Sequence, residues 1–194
     1  MALSQEREGR LTASSFAAAM GIHPHQSRQK LYRQMKGIDP KFEGNDATEY
    51  GNANECNAVD AYEAHQGVIC SGTGENQAFT VSVDEPWIGA TCDGIVEGVR
   101  LVEFKTPYYK MYDEAPPYYI PQCMGQMFIT GYKQCDLAVW TPEELRIWRI
   151  DFSQEYWDVQ LALMKDFWEC VQSDTGPKRR KKPVMPDVEI ELLM

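Results

Sequence analysis

The sequence predicts an α/β fold, a mixed β-sheet flanked by helices, and three observations carry that reading. Segments of helical period come first, then a β-rich stretch, then helix, strand, strand and helix, an order that builds layers of helix around a sheet. Hydrophobic residues make up 43% of the 194, with five Trp and ten Tyr, enough for a packed core and too many for a disordered chain. No internal repeat and no Gly/Ser/Pro-rich linker divides the middle, so residues 1–194 read as one domain, with a basic tail from about residue 176.

Taken in order, Thr12 to Met20 predicts a short helix, capped by Thr12 or Ser14, with Phe16, Ala17 and Met20 on its apolar face and Gly21 as its stop. Ser27 to Lys36 predicts a second helix, with Leu31 and Met35 four apart and Gly37 beyond it. Asp46 to Gln66 predicts a longer one, with Asp46 as cap and Gly67 as stop. Ala78 to Val83 alternates with period two and ends at Glu85-Pro86. Trp87 to Thr91, Asp93 to Gly98 and Leu101 to Lys105 predict further strands, the last ended by Pro107. Pro121 to Thr130 predicts a helix, with Pro121 in the first turn, where its missing N–H costs nothing. Leu137 to Trp140 and Leu145 to Asp151 follow as strands. Ser153 to Gln172 closes the series as a helix with Tyr156, Val159, Leu163 and Phe167 on one side.

Composition narrows the function classes. No apolar run reaches 18 residues, so no membrane span is expected. Met1 to Arg7 lacks the apolar middle of a signal peptide, so a cytoplasmic location is expected. The six cysteines, at 56, 70, 92, 123, 135 and 170, form no C-x-x-C pair, which argues for reduced thiols packed as small hydrophobes and against zinc or a disulfide framework. The net charge of −10, taken alone, argues against nucleic acid as a partner, although a nuclease needs carboxylates at its metal site and can confine its basic groups to one groove.

One constellation carries chemistry. Glu103-Phe104-Lys105 lies on a predicted strand, so Glu103 and Lys105 project from one face and Phe104 from the other, into the core. A hairpin through Gly98-Val99-Arg100 would bring Asp93 beside Glu103. Two carboxylates at one point suit Mg²⁺ or Mn²⁺, and the Phe104 carbonyl could add a third oxygen. A lysine on the same face can position or deprotonate a water, or neutralise a phosphate, which together suits phosphodiester hydrolysis. The triplet Asp39-Pro40-Lys41 has the same composition but sits between turn residues. Glu55, on the face of the long helix that carries Val59 and Tyr62, could project towards the sheet. Gln122, opening the helix after the strand, could bond the attacking water or a phosphate.

Four blocks then stand in order: Arg7-x-x-Arg10-Leu11-Thr12-Ala13-Ser14, Gly51-x-x-x-Glu55-x-x-Ala58, Cys92-Asp93-Gly94 with Leu101-Val102-Glu103-Phe104-Lys105-Thr106-Pro107, and Tyr119-Ile120-Pro121-Gln122. In that order and spacing the sequence resembles the lambda exonuclease and YqaJ-type viral recombinase family, within the PD-(D/E)XK nucleases, over roughly residues 7 to 131. The resemblance implies a restriction-endonuclease-like core and a 5′→3′ exonuclease. Such an enzyme degrades one strand of double-stranded DNA from 5′-phosphorylated ends and leaves 3′ overhangs for recombination by strand annealing. It implies two Mg²⁺ ions held by Asp93, Glu103 and the Phe104 carbonyl, with Asp93 bridging. It implies that Lys105 orients the water or acts as its base, that Glu55 supports the second-metal water network, and that Gln122 completes the site. Arg7, Thr12 and Ser14 match the family's pocket for the 5′-terminal phosphate, a chemistry that a guanidinium and hydroxyls suit. The family works as a ring-shaped homotrimer around DNA and can partner a single-strand annealing protein. Where the family carries an apolar wedge, this chain has Ala47-Thr48-Glu49-Tyr50, without a strong aliphatic residue.

Other readings remain at this stage: a PD-(D/E)XK endonuclease with the same metal site, or a non-catalytic DNA- or protein-binding module. His23-Pro24-His25 reads as a turn rather than a metal site, since no third ligand is in view. The run Lys178 to Lys182 reads equally as a phosphate-backbone contact or as a solvated tail.

Overall fold

The computed structural model describes residues 6–40 and 43–194. Residues 1–5, and Lys41 of the second acidic triplet, lie outside them. The first expected helix is three pieces: strand β1 (Leu11–Thr12), a 3₁₀ turn (Ala13–Ser15) and helix α1 (Phe16–Met20). Neither Thr12 nor Ser14 caps α1. Ser15 stands at its N-cap without a side-chain bond, because Thr12 is drawn into a parallel pairing with Gly89. Helix α2 (Arg28–Met35) is capped by Ser27, whose hydroxyl accepts the Lys30 N–H at 3.2 Å. Helix α3 (Asp46–Gln66) has the expected bounds, but its cap is Asn45, whose Oδ1 accepts the Thr48 N–H at 3.0 Å, and not Asp46. Asn45 has the extended backbone a cap requires, and Asp46 already lies in the first turn.

Two sheets follow. The small one pairs β1 with β3 (Ile88–Thr91), and β3 with β2 (Phe79–Val81). The large one runs in the order β4 (Gly94–Val96), β5 (Arg100–Lys105), β6 (Gln134–Trp140), β7 (Leu145–Asp151) and β8 (Ile190–Leu192). It is mixed: β5 and β6 are parallel and the other pairs antiparallel. The parallel pair needs a crossover, which helix α4 (Ile120–Thr130) supplies. Helix α5 (Gln154–Gln172) packs against α1, α2 and α4. Strand β8 was not expected from the sequence. It lies beyond the basic tail and pairs with β7.

Strand alternation sorts the large sheet into two faces. Val102, Phe104, Ala138, Leu145 and Ile147 pack with Ala58, Val59 and Tyr62 of α3. Leu101, Leu137, Val139, Trp148 and Ile150 pack on the opposite face with Phe16, Met124, Trp157 and Phe167. The face under α3 also buries Asp136, whose carboxylate accepts Tyr62 Oη at 2.7 Å, Arg100 Nε at 2.8 Å and Arg149 Nε at 2.9 Å. A carboxylate taken out of water this far is tolerated because its lone pairs are filled. Among the described residues, no helix is long and apolar enough to cross a membrane.

Candidate active site

The chain passes from β3 to β4 through Cys92 and Asp93, so Asp93 sits where the two sheets meet. The β4–β5 hairpin closes through Glu97-Gly98, with the Val99 N–H donating to the Val96 carbonyl at 3.0 Å and Gly98 at φ +68°. Its register pairs Gly94 with Val102, which carries Asp93 to the end of β5. There Asp93 Oδ2 accepts the Phe104 N–H at 3.1 Å. Glu103 and Lys105 share a face, and Lys105 Nζ is paired with Glu103 Oε1. Phe104 turns the other way, its ring against Tyr62, which leaves its backbone bordering the cavity.

Glu103 is only 1% exposed, and α4 holds it in place. Gln122 Nε2 donates to Glu103 Oε1 at 2.5 Å. One helical turn later, Gln126 Nε2 reaches Glu103 Oε2 at 2.6 Å and the Thr91 carbonyl at 2.9 Å. Lys105 Nζ lies 5.1 Å from the centre of the Tyr119 ring. Glu55 comes from the first half of α3, one turn before Val59. Gln77 Nε2 donates to Glu55 Oε1 at 3.0 Å and stands 3.4 Å from Asp93 Oδ1. Arg7 Nη2 donates to Thr91 Oγ1 at 2.7 Å, and its guanidinium sits 5.8 Å from the centre of the Phe79 ring. The Thr12 and Ser14 hydroxyls are 3.3 Å apart. Every site residue read from the sequence, from Arg7 to Gln122, borders one cavity of about 830 Å³.

The electrostatics are those of crowded anions. Burial, and then the Glu103 carboxylate, push Asp93 well above the usual carboxylate range. Burial and Glu103 likewise raise Glu55. Burial alone would pull the Lys105 ammonium down, but the Glu103 and Asp93 carboxylates outweigh it and raise it. Among the described residues, Asp93 forms no ion pair with Lys, Arg or His, so its charge lacks a direct counter-ion. Among the described residues, no three His, Cys, Asp or Glu side chains converge in a ready-made cage. Mg²⁺ seldom uses such a cage. It takes one or two carboxylates and completes its shell with water and phosphate oxygens. The hard-oxygen set of Asp93, Glu103 and the Phe104 carbonyl, beside an uncompensated carboxylate, fits such an ion.

Several residues of this site escaped the sequence reading. Gln126 left a signal, being polar within an apolar helix and one turn from Gln122. Gln77 left none, because only the fold brings its loop to Asp93. At the rim, Tyr50 stands edge-on to Tyr108 at 5.4 Å, and Tyr108 to Tyr109 at 5.0 Å. The segment that lacks an aliphatic wedge is thus bordered by aromatic rings. His23 Nδ1 accepts the N–H groups of His25 and Gln26 at 3.1 and 3.0 Å, so the histidine pair builds a turn.

Residues 4–133 match the family model described as the YqaJ-like viral recombinase domain. The chain belongs to that family. The YqaJ-like match takes in every residue of the cavity named above and stops short of the basic tail. Among solved structures, the chain is similar to an alkaline exonuclease from Laribacter hongkongensis, at 23% identity and a TM-score of 0.74, over 88% of this chain and 91% of that one. The same exonuclease in complex with dAMP aligns at 22% identity and a TM-score of 0.75, over 87% and 90%. A phage-related exonuclease from Haemophilus somnus 129PT aligns at 15% identity and 0.62, over 84% and 92%. These likenesses show that this YqaJ-like chain shares its fold with the solved exonucleases. No curated protein matches it.

Proposed function

We propose that this chain is a Mg²⁺-dependent deoxyribonuclease. In this reading it degrades one strand of linear double-stranded DNA 5′→3′ from phosphorylated ends, leaving 3′ overhangs for recombination by strand annealing. The observation that carries the reading is the meeting of Asp93, Glu103 and Lys105 in the same cavity as Arg7, Thr12 and Ser14. Its membership of the viral recombinase family supports it, and so does its likeness to solved exonucleases. Asp93, Glu103 and the Phe104 carbonyl would hold the ions, two per site, with Mn²⁺ as a substitute. The ions supply Lewis-acid polarisation of the phosphoryl group and lower the pKa of water.

The chain's own residues do the rest. Lys105, kept as an ammonium by its pairing with Glu103, orients the attacking water, and its cation offsets the charge that grows on the phosphoryl oxygens. Gln122 and Gln126 hold Glu103 in one rotamer by bonding both of its oxygens. Glu55 and Gln77 hold the opposite wall around Asp93. Arg7, Thr12 and Ser14 bind the terminal 5′-phosphate and so set the cut at a chain end. A closed homotrimer around the duplex would keep an acidic protein on DNA without a broad basic surface.

Asp93→Ala, Glu103→Ala and Lys105→Ala each remove charge needed in the transition state. Each is expected to lower Mg²⁺-dependent hydrolysis of linear duplex by at least about a hundredfold with the fold retained. EDTA is expected to silence the wild type. Near-wild-type turnover in any of the three would sink the assignment.

A further inference from the structure

The run Lys178–Lys182 has no task in the function proposed above, yet three of its residues border a second cavity, of about 650 Å³. The first turn of α2 and the turn before it form one wall, and Pro177 to Arg180 form another. Five of the lining residues are cations, Arg28, Lys30, Lys178, Arg179 and Arg180, and none is acidic, in a chain of net charge −10. Among the described residues, the single carboxylate paired with any of the five is Asp166. Its Oδ2 takes both Arg28 Nη2 at 2.5 Å and Arg180 Nη1 at 3.0 Å. Arg28 is 7% exposed, lies over the Phe167 ring, and its buried Nε has no hydrogen-bond partner. This corner is short of acceptors as well as of negative charge. Burial, and then the Arg28 guanidinium, pull Arg180 below its ordinary value despite the Asp166 carboxylate that the two arginines share. His25 borders this cavity and the acidic one alike, so the two meet at one residue.

We infer that this basic cavity binds the phosphodiester backbone of DNA, gripping the same molecule whose end enters the acidic cavity beyond His25. The inference rests on the nuclease reading for its choice of polyanion. Guanidinium and ammonium groups bind phosphate oxygens by charge-assisted bonds and release condensed counter-ions. Such contacts are local, which reconciles an acidic protein with a polyanionic substrate. They carry no sequence preference, which suits an enzyme that must move along any duplex.

The test compares the full-length wild type with a Lys30→Gln/Lys178→Gln/Arg179→Gln variant. All three residues are exposed, and none takes part in an ion pair among the described residues. Binding of a fluorescently labelled 5′-phosphorylated duplex is followed by anisotropy without divalent cations, across a salt series. The variant is expected to bind about tenfold more weakly at low salt. Its slope of log affinity against log salt should be shallower by about 2 to 3, since each lost phosphate contact removes about 0.9. An unchanged affinity and slope, at unchanged Tm, would overturn the inference. Should the triple variant lose stability, Arg179→Gln alone carries the same readout, with a slope change of about 1 expected and no change overturning. Tighter variant-sensitive binding of poly-glutamate than of the duplex would overturn DNA as the occupant. The wild type is assayed in parallel with Mg²⁺ on the same duplex. Absence of cleavage there counts against the nuclease reading, whereas cleavage with an unaltered salt slope counts against the basic cavity alone.

Discussion

Glu103 shows how one side chain gathers a site. It is buried, and it keeps its carboxylate there because Lys105, Gln122 and Gln126 all bond it. Asp93, Glu103 and Lys105 were legible in sequence because strand period and a short hairpin fix their relative positions locally. Gln77 was not, since its contact with Asp93 depends on a loop packed from elsewhere in the chain. His23 offers a residue-scale test away from the carboxylates. Its Nδ1 must stay deprotonated to accept two backbone N–H groups. Burial and the neighbouring His25 lower its pKa from the ordinary 6.5. A lowered basic pKa means that the unfolded chain binds the proton more readily. The stability from this turn is therefore fully present above the unfolded value and drains away as pH falls through the folded one. Thermal melts of the wild type from pH 8 down to 5 should show this loss, and His23→Asn, which keeps an acceptor but does not titrate, should lack that component. Parallel curves for the two proteins would remove the account of the turn.

At the scale of elements, the strand and helix order was readable, and the departures have local causes. Thr12 and Ser14 suit helix caps, but tertiary pairing of β1 with β3 took Thr12 into a strand. Asn45 rather than Asp46 caps α3, a one-residue ambiguity where two good capping residues adjoin. Strand β8 is three residues long and largely exposed, and although Val188 to Leu192 alternate apolar and acidic residues, so short a run needs the edge of β7 to exist at all. The packing of α4 explains a residue with no chemical role. A Cβ on Gly125 would stand 2.2 Å from the Phe16 ring, so this glycine sets how closely α4 approaches α1. Gly125→Ala is expected to cost about 1–3 kcal/mol by overpacking. Because α4 also carries Gln122 and Gln126, activity should fall together with Tm. Chemical denaturation reads the first effect, and an unchanged midpoint would show that the helices have room to separate.

At the scale of the whole molecule, net charge pointed away from DNA while the distribution of charge points towards it. Nothing in the sequence order reveals that the tail returns to the mouth of a cavity near His25, because that closure joins residues 177–180 to the first turn of α2. The assembly proposed above is checked by sedimentation, with a mass near three chains of 22.2 kDa expected. A monomer that still degrades long duplex without dissociating would refute the ring. A metal-dependent cut that begins at a 5′-phosphorylated end is open to one direct measurement. Linear duplexes carrying a 5′-phosphate or a 5′-hydroxyl, labelled at either end of the strand, are incubated with Mg²⁺ beside a closed circle. Loss of a charge-assisted phosphate contact costs roughly 1.5–3 kcal/mol, so the phosphorylated end should be degraded about ten- to hundredfold faster. The 5′ label should be released first, the circle should stay intact, and Arg7→Ala should erase much of the preference while leaving slow cleavage. Equal rates on both ends, or cutting of the circle, would contradict the account and favour an endonuclease built on the same metal site.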